Sequence, residues 1–204
     1  LGCGTGISTR QLAKNKGLII GVDADKQMLA VASQHAQSTI SYRHERAEKL
    51  PFENDSFDAV TAFTSFHWFM NKKTINEIKR VLKPRGLLCI VQPRFASFQK
   101  DCRTILQNNL HCKIPKNYIN STKIIPLLIK NGFKANKQIV ESTIKYTLNN
   151  YISLLKTYSW WNYIPTSRQK EIELLLRAHF RTKIKNGYIR NIKNFEIITA
   201  SKKS

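Results

Sequence analysis

The chain has 204 residues, 42 % of them hydrophobic, enough for one sizeable core with at most a small subdomain attached. No apolar run approaches the ~20 residues of a membrane-spanning helix and no secretory signal pattern opens the sequence, so neither a membrane span nor a secreted, disulfide-built fold is expected. Net charge is +21, spread as +7 over residues 1–100 and +14 over residues 101–204.

In chain order, Leu1–Gly6 reads as a turn and Ile7–Lys16 as a short helix. Leu18–Val22, an apolar run between Gly17 and the polar Asp23, reads as a strand. A helix follows from Lys26 to Ala36, capped by Asp25 or Asp23. Ile40–His44 and Phe57–Phe63 read as strands, the second preceded by the turn-like Glu53–Ser56. Thr74–Leu82 has apolar residues at helical spacing and is stopped by Pro84; Leu87–Val91 is the next strand. Helix and strand alternate, which predicts an α/β fold with a doubly wound, mostly parallel sheet. After Pro93 the pattern weakens. Residues 94–120 are basic and amide-rich and are expected to make a partly helical excursion over the sheet edge. A helix ending at Asn131-Gly132, an extended stretch Phe133–Thr147, helices over Tyr151–Trp161 and Ser167–Phe180, and a strand Phe195–Ala200 complete the reading.

Four segments carry chemistry. The glycines of Leu1-Gly-Cys-Gly-Thr-Gly6 let the backbone turn tightly and approach a ligand. Their G-x-G-x-G spacing differs from the G-x-G-x-x-G dinucleotide fingerprint, so a pyrophosphate is not the expected ligand. Asp23 stands at the carboxyl end of the strand Leu18–Val22, where such sheets open their binding crevice, and could accept both hydroxyls of a ribose. Ala47–Asp58 leads into the strand Phe57–Phe63, with Leu50 and Phe52 as core plugs and Asp58 ordering the strand entry. Thr64-Ser-Phe-His-Trp-Phe69 returns to the crevice edge, where His67 could orient or deprotonate a substrate and Trp68 could wall a pocket.

The cysteines at 3, 89, 102 and 112 match no zinc spacing, so no metal site is expected. They read as free thiols of a reduced, cytoplasmic protein, with Cys89 buried. The basic excess can mark a nucleic-acid partner. Against that, lysine outnumbers arginine 23 to 11, and Lys, Asn and Ile together make 62 residues, a broad compositional drift rather than a reading surface.

Taken together, Leu1–Gly6, Gly21–Asp25, Ala47–Asp58, His67–Phe69 and Arg80–Pro84 resemble the successive motifs of the class I S-adenosylmethionine-dependent methyltransferases, within them the type-11 methyltransferase domain. The His-Trp-Phe step is similar to that of its small-molecule, trans-aconitate-type branch. The resemblance covers about residues 1–92 and implies a seven-stranded Rossmann-like sheet, with S-adenosylmethionine as methyl donor. It implies a donor-binding half over 1–92, and a helical substrate cap with closing strands over 93–204. Gly2, Gly4 and Gly6 would cradle the methionine and sugar, and Asp23 would hold the ribose. Ala24, Met28, Ala47 and Glu48 would border the adenine, and Phe63 and Ser65 the methionyl side. His67 would be the catalytic residue, and His67, Trp68, Tyr151 and Tyr158 would meet a small-molecule acceptor. The sequence opens with Leu directly on the loop, so it is expected to be a piece of a longer chain with the fold's first strand truncated. Arg46 stands where the family has an aspartate reading the adenine amino group. Arginine cannot accept a hydrogen bond, leaving Glu45 or Glu48 to substitute. Arg85 stands where a glycine is usual. Competing readings are an RNA or protein methyltransferase that uses the basic second half, and a degenerate fold without catalysis.

Overall fold

The computed structural model describes residues 1–14, 17–35, 37–94, 98–110 and 121–202, with backbone alone at 94, 98–100, 121 and 159. The glycine loop runs into α1 (Ile7–Ala13). The apolar run beyond it forms β1 (Ile19–Asp23). A parallel neighbour needs a crossover, and α2 (Lys26–Ser33) supplies it before β2 (Ile40–His44), which pairs in register from Ile19 opposite Ile40 to Asp23 opposite His44. Asp25, rather than Asp23, caps α2: its carboxylate accepts from the amides of Gln27 and Met28 at 2.8 and 3.2 Å. That leaves Asp23 free for another role.

The second parallel pair repeats the logic. β3 (Phe57–Phe63) crosses through α3 (Lys72–Val81) to β4 (Leu82–Arg94). Asn71 caps α3 by accepting from the Thr74 amide at 3.0 Å. Ile75, Ile78 and Val81 form one fully buried stripe on that helix, meeting the expected helical spacing. β4 starts five residues earlier than the apolar run suggests. The register jumps from Phe57 opposite Leu82 to Ala59 opposite Leu87, so Lys83–Gly86 bulge out of the ladder. Pro84 sits in that bulge, where its missing N–H interrupts no pairing.

Arg85 occupies the bulge with φ +65°, a left-handed conformation that favours glycine. Arg85→Gly should therefore stabilise the protein by about 1 kcal/mol, raising Tm by roughly 2–4 °C. A thermal melt checks this, and an unchanged or lower Tm contradicts it. Gly86 admits no such exchange, because a Cβ there would stand 2.9 Å from the Lys83 carbonyl oxygen.

The remaining elements are α4 (Phe98–Leu110), α5 (Ile124–Lys130), β5 (Phe133–Tyr146), α6 (Leu148–Lys156), α7 (Thr166–Arg181) and β6 (Ile189–Lys202). Among the described residues there are six strands rather than the expected seven, in two sheets: β1-β2, and β3-β4-β6-β5. Leu1–Cys3 lie where β1 and β3 would need a strand between them. The Cys3 amide donates to the Val22 carbonyl at 3.0 Å, and the Leu1 ammonium to the Thr61 carbonyl at 2.6 Å. Two bonds do not make a ladder, so the sheet divides there.

The chain forms two compact units. The first contains residues 1–92, 119–139 and 196–204, and the second contains 93–118 and 140–195. The chain passes from the first unit to the second after Gln92, and two later segments return to the first. In the first core, Val60, Ala62, Leu88 and Ile90 of β3 and β4 meet the stripe of α3, together with Ile124, Leu128, Phe133 and Ile198. Glu196, also buried, receives the Gln92 amide at 3.0 Å and the Lys137 ammonium at 3.3 Å, which partners its charge. In the second unit α6 starts three residues before Tyr151, because Thr147 caps it, and ends at Lys156; a 3-10 turn continues over Ser159–Tyr163. Its core is built on Leu106, Tyr151, Leu155, Ile172, Leu176 and Phe180, with Trp160 and Trp161 packed in. No helix among the described residues is long and apolar enough to cross a membrane.

Candidate functional site

The three loop glycines all have positive φ, at +63°, +52° and +75° for Gly2, Gly4 and Gly6, but their surroundings differ. A Cβ on Gly2 would stand 2.5 Å from the Ser65 Cβ, and one on Gly6 2.3 Å from the Tyr42 hydroxyl oxygen. A Cβ on Gly4 would meet nothing within 4 Å. Gly2 and Gly6 thus allow the loop to pack, whereas Gly4 faces open space.

Asp23 fastens this loop to the end of β1. One carboxylate oxygen accepts from the Gly4 amide at 2.7 Å, the other from the Asp25 amide at 2.9 Å. A carboxylate has about four lone-pair positions. The two left over can accept from hydroxyls. Around this point opens a cavity of ≈ 540 Å³, within the ~300–1,000 Å³ span of small-ligand sites. Its wall includes Gly2, Gly4, Asp23, Ala24, Met28, Ala47, Phe63 and Ser65, all expected from the sequence. Trp68, 79 % exposed, also lies on the wall.

Two expected donor contacts lie elsewhere. Gly6 caps α1 and packs on Tyr42. Glu48 is turned aside, accepting from the Asn71 amide nitrogen at 3.1 Å, with Arg46 at 3.8 Å. Of the two carboxylates that could replace the missing aspartate, it is Glu45 that lines the cavity, its backbone amide held by the Asp23 carbonyl at 3.1 Å. The stretch after Ala47 is clamped from α3. Arg80 donates to the Leu50 and Phe52 carbonyls at 2.9 and 2.6 Å, while Glu77, paired with Arg80 at 2.8 Å, accepts from the Leu50 amide at 2.9 Å. Asp58 pairs with Lys83 at 2.8 Å at the strand entry.

The crevice edge after β3 is strained. Thr64 has φ +54°, costly for a β-branched residue, and its amide donates to the Val91 carbonyl at 2.7 Å. Thr64 and Phe69 line the cavity too. Nothing in the sequence marks Thr64 as left-handed, whereas Phe69 belongs to the stretch Phe66–Phe69 expected to form the acceptor pocket. Ser65 donates to the Leu1 carbonyl at 2.8 Å.

His67 does not lie on the cavity wall. It occupies the 3-10 turn Phe66–Trp68, with its ring centroid 4.8 Å from that of Trp68. Nδ1 is buried with no hydrogen-bond partner among the described residues. Burial lowers its pKa below the usual histidine value, so it is neutral at pH 7. The unfolded chain then takes up the proton first, and stability declines as pH falls through the unfolded value of about 6.5. Melts between pH 7 and pH 5.5 should show that decline in the wild type and a flatter profile in His67→Phe. Parallel profiles would contradict it.

Tyr151 and Tyr158 belong to the second unit. Tyr151 is fully enclosed in its core, edge-on to Phe180 at 4.9 Å, and burial drives its pKa well up; Tyr158 packs against the same core. Burial likewise pushes the thiols of Cys3 and Cys102 up to about 11 and about 12, so both are inert at neutral pH. Cys89 is half-buried rather than buried. No cluster of three or more metal-ligating side chains occurs among the described residues.

Residues 1–90 match the profile of a family described as methyltransferase domain. A protein of Schizosaccharomyces pombe named as an uncharacterized methyltransferase is 29 % identical over 188 residues, 89 % of this chain and 72 % of that protein. A demethylmenaquinone methyltransferase of Clavibacter sepedonicus is 35 % identical over 95 residues, 45 % of this chain. That match spans 39 % of its length, and the match to the Bacillus subtilis methyltransferase YcgJ spans 38 % of YcgJ. Among solved structures, YcgJ superposes with TM-score 0.63 at 24 % identity over 100 % of this chain and 90 % of that one. The [4+2]-cyclase SpnF superposes with TM-score 0.60 at 18 % identity, over 99 % of this chain and 73 % of its own. At these identities the superpositions establish the fold.

Proposed function

We propose that the chain is a class I S-adenosylmethionine-dependent methyltransferase of the family whose profile residues 1–90 match, and that it transfers the donor's methyl group to a small-molecule acceptor. The observation that carries this reading is the cavity in which an open glycine amide loop, the Asp23 carboxylate and Glu45 converge. Asp23 accepts from the ribose hydroxyls with its two spare lone pairs. Glu45 accepts from the adenine amino group, in place of the aspartate that Arg46 has displaced. Ala24, Met28 and Ala47 pack on the adenine, while Gly2, Phe63 and Ser65 line the methionyl side. The donor supplies an activated methyl group when bound, so the protein's work is alignment and exclusion of water. Trp68 and Phe69 wall the side from which an acceptor enters.

A base is needed only for an acceptor that carries its proton at neutral pH. His67 is the local candidate, and its neutral state suits that task. Its place off the cavity wall favours an acceptor that arrives already deprotonated, such as a carboxylate. The similarity of the His67–Phe69 step to the trans-aconitate-type branch points the same way, and the Clavibacter relative is named for a small-molecule acceptor. The three described free thiols suit a reducing compartment such as the cytoplasm.

One feature favours an RNA acceptor instead: the +14 charge of residues 101–204. Incubating the intact chain with donor labelled in its methyl group, and with the small-molecule, RNA and protein fractions of a cell extract, separates the readings. Label in the small-molecule fraction alone is expected. Label in RNA or protein, with none in small molecules, overturns the proposal.

A further inference from the structure

The second unit contains a cavity of its own, of ≈ 310 Å³, which shares no lining residue with the cavity around Asp23. Its body is apolar: the rings of Tyr151 and Phe180, set edge to face, with Ile189 and Ile192. At its wall stands Asn191, 3 % exposed, whose Nδ2 has no acceptor among the described residues. A buried amide donor without a partner is rare in folded proteins and calls for an acceptor. The mouth is cationic. Lys183 is engaged by Asp101, which His179 approaches at 3.4 Å, but neither Lys185 nor Arg190 has an ion-pair partner among the described residues.

We propose that this cavity is a binding site for a small aromatic carboxylate. The ring lies over Ile192 and the cavity-side edges of Tyr151 and Phe180, one carboxylate oxygen takes the hydrogen bond offered by Asn191 Nδ2, and Lys185 and Arg190 supply the opposing charge. Inorganic phosphate is a poorer fit, since it leaves the apolar part of the wall uncovered. A neutral ligand would leave the two unpaired cations unused. The volume lies at the small end of the ~300–1,000 Å³ range of ligand sites, which suits a single ring.

Benzoate is the probe, with benzyl alcohol and inorganic phosphate as comparisons, each titrated into the intact chain and followed by amide chemical shifts. Saturable binding of benzoate alone is expected, with shifts at Asn191 and its neighbours. Asn191→Leu keeps the side-chain volume and removes the donor, and should weaken binding at least tenfold. Lys185→Gln with Arg190→Gln should weaken it by roughly three- to tenfold and remove most of its salt dependence. Ile192→Trp alters a half-exposed wall residue and blocks the cavity without touching the core, so it serves if Asn191→Leu does not fold. The proposal is overturned if benzoate does not saturate, if benzyl alcohol or phosphate binds equally well, or if blocking the cavity leaves binding unchanged. The two cavities share no lining residue, so donor affinity should be the same in all these variants whether or not methyl transfer is the activity.

Discussion

Asp23→Ala is expected to lower affinity for S-adenosylmethionine by about 10²–10⁴-fold. The residue makes two kinds of contact. Its carboxylate already holds the Gly4 and Asp25 amides, at 2.7 and 2.9 Å, so it shapes the loop before any ligand arrives. Its remaining lone pairs are placed for a ribose. Hydrogen bonds to a charged group contribute roughly 1.5–3 kcal/mol each, and the loss of two, at about 1.4 kcal/mol per decade, gives the stated range. Loosening of the Gly4 amide adds to it. Asp23→Asn should be nearly as damaging, because one amide edge turns a donor toward the backbone amides that the carboxylate accepts from. Asp58→Asn, which removes only the exposed pair with Lys83, should leave affinity unchanged. Isothermal titration of the three variants measures these values. A loss of less than tenfold in Asp23→Ala would mean that the cavity does not hold the ribose there.

Gly4→Ala and Gly6→Ala should fail in opposite ways. At Gly6 a methyl group would stand 2.3 Å from the Tyr42 hydroxyl oxygen and 3.0 Å from Arg10 Nη1, with φ at +75°. Left-handed backbone costs about 1–2 kcal/mol and overpacking about 1–3 kcal/mol, which together lower Tm by roughly 5–15 °C. Adding Tyr42→Leu should restore part of that loss, since it removes the colliding hydroxyl, which is itself buried without a partner. At Gly4 the backbone cost is similar, but nothing lies within 4 Å. The methyl group instead occupies the donor cavity. Gly4→Ala should therefore melt above Gly6→Ala yet bind donor at least tenfold more weakly than the wild type. Thermal melts and donor titration on both variants check the pair. Equal melting temperatures would show that the Tyr42 contact is unimportant.

These two glycines also show where the sequence was legible. Their spacing announced a tight turn, and Asp23 nineteen residues after Gly4 announced the crevice, because both follow from local chain geometry. The strands at Ile40–His44 and Phe57–Phe63 were readable to the residue, since turn signals bound them on each side. What the sequence could not divide was labour within the motif. Gly6 packs on Tyr42 and Gly4 faces the cavity, a difference set by a side chain 36 residues away. The choice between Glu45 and Glu48 was closed to sequence for the same reason: it is decided by Asn71, which draws Glu48 aside. His67 looked like a cavity residue because it follows β3, yet the 3-10 turn presents Trp68 there instead. The start of β4 was missed because Pro84 marks a break, and the bulge at Lys83–Gly86 absorbs it without ending the strand. In the second unit the aromatic density of Tyr151–Trp161 does not say which rings are enclosed, and packing decides it.

Calorimetric titration of S-adenosylmethionine into the intact chain, with Asp23→Ala beside it, tests the donor site most directly. Saturable one-site binding by the wild type is expected, with affinity lower by about two orders of magnitude or more in the variant. Absence of binding by the wild type, or binding that Asp23→Ala leaves intact, would contradict the assignment of that site.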